Sequence, residues 1–260
     1  MDDSNTELMG RKVFFLHPST FVQNTILEPL IQQEFEIYML KDETKLLKIL
    51  KKYPDSIVFA CIDEVLSPKQ WEAWIMQLKA TPSDHEIRLG VLSNTNHEDV
   101  RRLYVDTYKV SCGFISIKPD KDKAIKALIE VLNSVKAKGR RKYVRTNTHH
   151  ETMTTINLPV GDNNYVTGEI WDISVVGLSC TFSKELNLNK NAIFRDIQLK
   201  LQSTLVKVEG IVYGSRKEES ETVYVFLLAP KTDPTTKAKI RMFIQKRIQA
   251  LMEVELLTIS

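Results

Sequence analysis

The sequence predicts a two-domain protein: an α/β domain with a doubly wound parallel sheet, then a six-stranded antiparallel β domain closed by a C-terminal helix. Up to about residue 137, short apolar runs alternate with segments of helical period. After residue 150, strand-like runs follow one another across short polar turns. A segment rich in Lys and Arg separates the two patterns. We therefore expect domains at 10–137 and 138–260, with an Arg-rich segment at 138–147.

Five (βα) units are predicted in the first domain. The apolar runs have strand length and no polar alternation, which is typical of strands buried on both faces by helices. They occupy 12–16, 35–40, 56–62, 87–92 and 113–117. The intervening helices show apolar residues at i, i+3, i+4 and i+7, as in Trp71, Trp74, Ile75 and Leu78. Pro29 lies within the first helical pattern and should kink or split that helix.

The second domain is predicted from six strand-like runs with Gly, Asn and Asp between them. The runs are 154–158, 165–173, 178–182, 193–201, 204–212 and 222–228. Short connections between six strands indicate an antiparallel barrel or sandwich. A final helix, from Pro234 to about Leu257, has an apolar stripe that should cover this sheet.

Composition is that of a globular protein, with 43% apolar and 27% charged residues in 260. The longest apolar runs, 57–62 and 223–229, are too short to span a bilayer. The first seven residues are acidic and polar, unlike a signal peptide. Three cysteines lie far apart in apolar strings, which predicts reduced core thiols. Together these features predict a cytoplasmic location. The cysteines are Cys61, Cys112 and Cys180.

Positive charge is concentrated at one place. The chain has a net charge of +3, yet residues 135–150 contain six Lys or Arg and no acid. Such a cluster indicates a partner with negative charge. A solvated linker accounts for the charge run equally well when it is considered alone. Charge by itself does not distinguish nucleic acid, a lipid headgroup or a nucleotide.

The first domain resembles the receiver domain of bacterial response regulators over about residues 10–137. Ser93 ends the fourth strand and Lys118 the fifth, where that family has a Ser/Thr and a Lys-Pro. The family's Mg²⁺-binding carboxylates are absent, because His17 takes their place, and Ala60 takes that of the phosphorylated Asp. The resemblance implies a pseudo-receiver used for docking or dimerisation. The alternative is phosphorylation at Asp63, three residues later.

Two short motifs in the second half point to an anion. Arg141 and Arg145 form an R-x-x-x-R pattern, with Arg140 before it, and guanidinium forks suit both phosphate oxygens and the O6/N7 edge of guanine. Downstream, 172–177 has the pattern D-x-S-x-x-G. Two residues apart on a strand, Asp172 and Ser174 share one face. The carboxylate can accept from guanine or orient an arginine. A solvent-facing strand explains the second motif equally well if it is considered alone.

The two motifs together, at the start of a predicted six-stranded barrel, resemble the PilZ domain over about residues 139–257. The resemblance implies binding of cyclic di-GMP, a bacterial second messenger. It also implies that the additional Arg goes with an intercalated pair of ligand molecules. Independently of the resemblance, repulsion among the six cations of 136–145 and the backbone freedom of Gly139 predict that the ligand-free joint at 136–147 is mobile. The ligand-binding residues that the resemblance implies are Arg140, Arg141, Arg145, Asp172, Ser174 and Gly177.

No catalytic or metal site is predicted. G-x-S-x-G, Walker and dinucleotide-binding glycine motifs do not occur in the sequence. His149 and His150 adjoin each other without a Cys or carboxylate at ligand spacing. We therefore expect a non-enzymatic effector that needs no cofactor and acts on an unidentified protein.

Two other functions remain open from the sequence. The first is a nucleic-acid-binding protein that uses the basic residues 136–145, which leaves Asp172 and Ser174 unexplained. The second is a ligand-free PilZ scaffold that binds only protein partners, which the intact arginine motif disfavours.

Overall fold

The computed structural model describes residues 10–80, 87–161, 164–218 and 220–259. The chain divides into two compact units: Met1–Lys142 together with Gln249–Ser260, and Tyr143–Ile248. The polar start of the chain, at residues 1–7, lies outside the described residues. Among the residues that are described, no helix is both long enough and apolar enough to cross a membrane.

Unit 1 is built on a parallel five-stranded sheet, as the sequence predicts. Its strands are β1 (Val13–Leu16), β2 (Ile37–Leu40), β3 (Ile57–Cys61), β4 (Arg88–Ser93) and β5 (Phe114–Ser116). Their order across the sheet is β2-β1-β3-β4-β5, and every pair is parallel. Strands β1 and β3 at the centre are buried along their whole length, which explains their uninterrupted apolar sequence.

Helices connect these strands. They are α1 (Glu28–Gln32), α2 (Glu43–Lys52), α3 (Pro68–Ala80), α4 (Glu98–Arg102) and α5 (Lys121–Ser134). Asp42 and Asp120 cap α2 and α5 by accepting hydrogen bonds from backbone N–H groups of the first turn, an interaction worth about 1 kcal/mol. The stripe predicted on α3 is buried, including Trp71 and Trp74.

Pro29 splits the first helix as predicted. The chain forms a π-helical stretch over Val22–Leu27, and α1 begins at Glu28 with the proline in its first turn. Proline has no N–H to donate and clashes with the carbonyl four residues earlier in an α-helix. A wider π turn before it accommodates both effects.

Unit 2 contains a closed six-stranded antiparallel barrel. Its strands are β7 (Thr154–Gly161), β8 (Asn164–Ser174), β9 (Gly177–Phe182), β10 (Ile193–Leu201), β11 (Thr204–Glu218) and β12 (Glu221–Leu228). They pair in the order β8-β7-β10-β11-β12-β9, and β9 pairs with β8 to close the barrel. The barrel, one of the two architectures that the sequence left open, is thus established.

One strand was not predicted. Arg145–Asn147 forms β6, which pairs antiparallel with β8 outside the closed ring. The sequence analysis placed these residues in a mobile joint, and for 145–147 the structure corrects this expectation. Three residues are too few to show strand periodicity, and here backbone pairing to β8 determines the conformation.

The last helix, α6 (Pro234–Thr258), begins in unit 2 and ends in unit 1. The apolar stripe predicted on this helix consists of Ile240, Phe243, Ile244, Ile248 and Leu251. The first four are buried, whereas Leu251 is exposed. In unit 1, the Gln249 side chain makes two hydrogen bonds of 2.9 Å to the backbone of Met39. The domains predicted at 10–137 and 138–260 stay a prediction.

All three cysteines are free and buried, in agreement with their predicted state. Burial raises the pKa of the Cys180 thiol well above its ordinary value, and the nearby Asp172 carboxylate adds to this shift. The pKa of the Cys61 thiol is also raised, because the thiol is buried and because it lies near the carboxylates of Asp63 and Glu64. These thiols stay protonated and behave as apolar core groups.

Candidate functional site

The pairing of β6 with β8 brings the two predicted motifs together. Arg145 lies opposite Ser174 and Asn147 lies opposite Asp172 in the antiparallel ladder. Residues separated by 25 to 29 positions thereby become cross-strand neighbours, whose Cβ atoms lie about 4.5–5.5 Å apart. The strand that sequence analysis missed is thus the element that positions Arg145.

A β-bulge in β8 determines which way Asp172 points. Up to Ile170, every second residue of this strand faces the barrel interior. The ladder with β9 shifts register between Ile170 and Asp172, which leaves Trp171 as the extra residue. After the bulge, Ile173 is the buried residue and Asp172 faces outward. Without the extra residue, Asp172 would project into the apolar core.

Asp172 is held by two partners. Its Oδ2 accepts a short hydrogen bond from the Ser179 hydroxyl, which lies directly opposite on β9. Its Oδ1 lies 2.9 Å from Arg145 Nη1 in an ion pair whose side chains are 22% and 46% exposed. Among the described residues, Oδ1 receives no hydrogen bond of normal geometry, so the arginine contact is chiefly electrostatic. Both roles predicted for Asp172, accepting from guanine and orienting an arginine, stay predictions, and the ion pair is compatible with the second.

The turn between β8 and β9 is stabilised by Ser174. Its hydroxyl donates to the Gly177 carbonyl at 3.1 Å and accepts from the Val176 N–H at 3.4 Å. Ser174 is only 1% exposed. The predicted contact of this hydroxyl with a ligand therefore stays a prediction, because the hydroxyl is engaged in the turn.

Gly177 has a steric role in the same turn. A Cβ built on Gly177 would lie 2.7 Å from the backbone carbonyl oxygen of Phe226 on β12. Contacts that close essentially never occur between real Cβ atoms and backbone oxygens. Glycine at this position lets β9 approach β12 and close the barrel.

The remaining two arginines precede β6. Arg140 and Arg141 are exposed, in a stretch without helix or strand. Both belong to unit 1, whereas the other four predicted ligand-binding residues belong to unit 2. Their contact with a ligand stays a prediction.

Two histidines and a glutamate form a cluster that sequence analysis missed. The His149 ring stacks on Trp171 with centroids 4.0 Å apart, and the His150 ring stacks on His149 at 3.6 Å. The Glu169 side chain accepts a short hydrogen bond from the His150 N–H. These histidines therefore do have a carboxylate beside them, contrary to the expectation from sequence spacing. Glu169 lies 19 positions from His150 in the sequence and comes close to it only in the folded chain.

In unit 1, the carboxyl ends of the parallel strands carry a small polar group. Both Asp63 carboxylate oxygens accept hydrogen bonds, one from the Ser93 hydroxyl at 2.5 Å and one from the Asn94 N–H at 2.7 Å. Ala60 is fully buried inside β3, and Asp63 lies two residues beyond its end. In the part of the chain that the structure describes, no group of three metal-ligating side chains includes Asp63.

His17 directly follows β1, at the carboxyl end of the strand. It is buried, with a backbone φ of 54°, and its Nε2 lies 3.1 Å from Glu43 Oε2. The position is thus filled by an imidazole bonded to a helix carboxylate. The receiver-like assignment of unit 1 stays a prediction.

The family-model scan gave no match to this chain. The search of curated proteins gave none either. Solved structures do match the C-terminal part of the chain. The PilZ domain of YcgR from Escherichia coli, solved with c-di-GMP, is 16% identical, with a TM-score of 0.39 over 45% of this chain and 97% of that one.

Two further structures extend this likeness. The Bacillus subtilis inhibitor of motility, MotI/DgrA, is 13% identical, with a TM-score of 0.36 over 44% of this chain and 52% of that one. The MrkH–c-di-GMP complex of K. pneumonia is 17% identical, with a TM-score of 0.34 over 46% and 55% of the two chains. These likenesses concern the fold alone. The C-terminal part is similar to PilZ domains, as its motifs predict.

Proposed function

We propose that this chain is an effector that binds cyclic di-GMP on the outer face of β6 and β8. The observation that carries the proposal is the Arg145–Asp172 ion pair, held outside the barrel by a bulge and by Ser179. A guanidinium oriented in this way presents its remaining N–H donors to an anion or to the O6/N7 edge of guanine. The PilZ domain of YcgR, which has a similar fold, was solved with the same ligand.

Charge supports a ligand with more than one phosphate. Residues 136–145 carry six cations, and each cyclic di-GMP carries two phosphates. Arg140 and Arg141 lie five and four residues before Arg145, so they can close over phosphates bound beside it. We assign the phosphates to Arg140 and Arg141 and a guanine edge to Arg145. Two stacked ligand molecules would bring four phosphates, which matches this charge better than one molecule does.

Asp172, Ser174 and Gly177 are assigned supporting roles in the same site. Asp172 fixes the arginine fork, Ser174 holds the turn, and Gly177 permits close strand approach. A direct contact of Asp172 or Ser174 with guanine belongs to the proposal as well. For this contact, Asp172 would have to exchange its ion pair with Arg145, or Ser174 its hydrogen bond to Gly177, for a hydrogen bond to the ligand.

The output we propose is a change in protein–protein contacts. Residues 138–144 have no helix or strand, and like charges so close together repel one another. Neutralisation by the ligand should order this segment. Because it connects the two units, its ordering should change their relative placement and expose or cover a surface for an unidentified partner. Hydrogen exchange at 138–144 should therefore slow on ligand binding, and unchanged exchange with tight binding would contradict this step.

Calorimetry on matched variants tests the site. Arg141→Ala and Arg145→Ala each remove charge-assisted hydrogen bonds worth about 1.5–3 kcal/mol, so affinity should fall roughly 10- to 150-fold. Arg145→Lys should also bind weakly, because an ammonium cannot reproduce the planar fork. The control is Arg195→Ala, an 83% exposed arginine on β10 that pairs with Glu209 at 3.4 Å.

The outcomes separate the proposal from its alternatives. Equal losses in the Arg145 and Arg195 variants would indicate a general charge effect. Strong, salt-dependent DNA binding that the dinucleotide does not displace would favour the nucleic-acid alternative. No binding of the dinucleotide by a folded chain would favour the scaffold alternative.

A further inference from the structure

The cluster of His149, His150 and Glu169 on unit 2 is independent of the proposed nucleotide site. The two imidazoles and the carboxylate each offer a ligand atom, and all three atoms lie within 4.8 Å of one another. No other group of three such side chains occurs in the ranges that the structure describes. His149 and Glu169 are half-buried, and His150 is exposed.

Backbone geometry brings these groups to one side. Adjacent residues of an extended chain project in opposite directions. His150, however, has a φ of 69°, in the left-handed region that non-glycine residues seldom adopt. This conformation folds its ring back onto His149, so both imidazoles face the same side. Strained residues of this kind cluster at functional sites.

The surroundings then fix two of the three groups. Trp171, the bulge residue, stacks on one face of His149 and restrains its ring. Glu169 is oriented because one carboxylate oxygen accepts from the His150 N–H, which leaves its other oxygen as a ligand. The neighbouring carboxylate of Glu151 is not available, since it pairs with Arg247 at 2.5 Å.

We propose that His149, His150 and Glu169 bind a divalent transition-metal ion, with Zn²⁺ as the representative ion. Two imidazole nitrogens and one carboxylate oxygen are a ligand set that Zn²⁺ accepts at about 2.0–2.2 Å. Tetrahedral angles at that distance put ligand atoms about 3.4 Å apart. The proposal therefore requires the exposed His150 ring to leave its stack on His149 and change its rotamer when the ion binds. Three protein ligands leave a fourth coordination position for water or an incoming group.

This ligand set, two imidazole nitrogens and one carboxylate, does not suit the hard cations Ca²⁺ and Mg²⁺. Both prefer six or more oxygen ligands, and this cluster offers one carboxylate. Imidazole nitrogens favour Zn²⁺, Ni²⁺, Co²⁺ or Cu²⁺. A titration with Mg²⁺ therefore serves as a negative control.

The test uses untagged full-length protein. Zn²⁺ is titrated by calorimetry, and Co²⁺ is titrated by visible absorption, which reports tetrahedral coordination directly. We expect one ion per chain. His150→Asn, which tolerates the left-handed backbone, and Glu169→Gln, which still accepts from the His150 N–H, should each weaken binding at least tenfold. His97→Ala, which removes an exposed histidine of unit 1, should not change it.

Two results would overturn the proposal. One is the lack of saturable Zn²⁺ or Co²⁺ binding by folded protein at up to about 1 mM metal, a range typical of weak sites. The other is an affinity that is the same in the wild-type protein and both cluster variants, which would place the metal elsewhere. Neither result bears on cyclic di-GMP binding, because none of the three residues belongs to the proposed nucleotide site.

Discussion

Replacing Gly177 with alanine tests whether the motif glycine is required by the packing of the barrel. Gly177 begins β9, where it pairs with Ser174 on β8 and with Leu227 on β12. An added Cβ would lie 2.7 Å from the Phe226 carbonyl oxygen. That oxygen is a backbone atom of a strand paired on both sides, so it cannot rotate away as a side chain can.

The expected cost follows from this overlap. Inserting a methyl group into a packed interior typically costs about 1–3 kcal/mol. For a domain of this size, each kcal/mol lowers the melting temperature by about 4–8 °C. Gly177→Ala should therefore lower the transition of unit 2 by roughly 5–20 °C.

Gly214→Ala is the matched control. Gly214 lies in β11 of the same barrel, and a Cβ built there meets no heavy atom within 4 Å. Alanine at such a position should leave stability unchanged or raise it by about 0.4–1 kcal/mol, because it restricts the unfolded chain. Scanning calorimetry of the three proteins measures the difference. Equal melting temperatures for both variants would refute the steric explanation of Gly177.

Three further predictions concern single side chains. Ser179→Ala removes the donor to Asp172 Oδ2 and should weaken cyclic di-GMP binding about 2- to 10-fold in calorimetry; unchanged affinity would show that Ser179 does not position Asp172. Acetyl phosphate with Mg²⁺ should leave the intact mass unchanged, whereas a phosphoryl adduct that disappears in Asp63→Asn would contradict the inactive-receiver assignment. Burial raises the pKa of Tyr104 to about 12 from its ordinary 10, so the folded state favours the neutral phenol. Stability from this group is present below pH 10 and is lost as the pH rises towards 12. Urea unfolding across that range should depend less on pH in Tyr104→Phe than in the wild-type protein.

The sequence predicts those parts of the fold that are governed by hydrophobic periodicity. All five parallel strands and all six barrel strands overlap their predicted ranges, because each buries an apolar face over several residues. The largest difference is at β11, which extends six residues beyond its predicted end, to Glu218. The effect of Pro29 follows from its chemistry alone.

The sequence does not predict features set by pairing between distant strands. The three residues of β6 have no apolar period, and their conformation comes from hydrogen bonds to β8. The bulge at Trp171 is visible only as apolar residues three apart, Ile170 and Ile173, where strict alternation requires two. Glu169 reaches the histidines for the same reason, 19 positions from His150.

The end of α6 shows a further limit. Its apolar stripe predicts a buried face but not which domain covers it. The last turns belong to unit 1, where Glu255 bonds the Tyr53 hydroxyl at 3.0 Å. Polar contacts between residues about 200 positions apart leave no periodic signal in the sequence.

Calorimetric titration of the untagged full-length chain with cyclic di-GMP tests the central claim most directly. GTP and the linear dinucleotide are the controls, since they share the guanine and phosphate groups but not the closed ring. We predict saturable binding of cyclic di-GMP at one or two molecules per chain, much weaker binding of both controls, and an affinity that is roughly 10- to 150-fold lower in Arg145→Ala. No heat of binding from folded protein, or equal affinity for all three nucleotides, would contradict the assignment of this chain as a cyclic di-GMP effector.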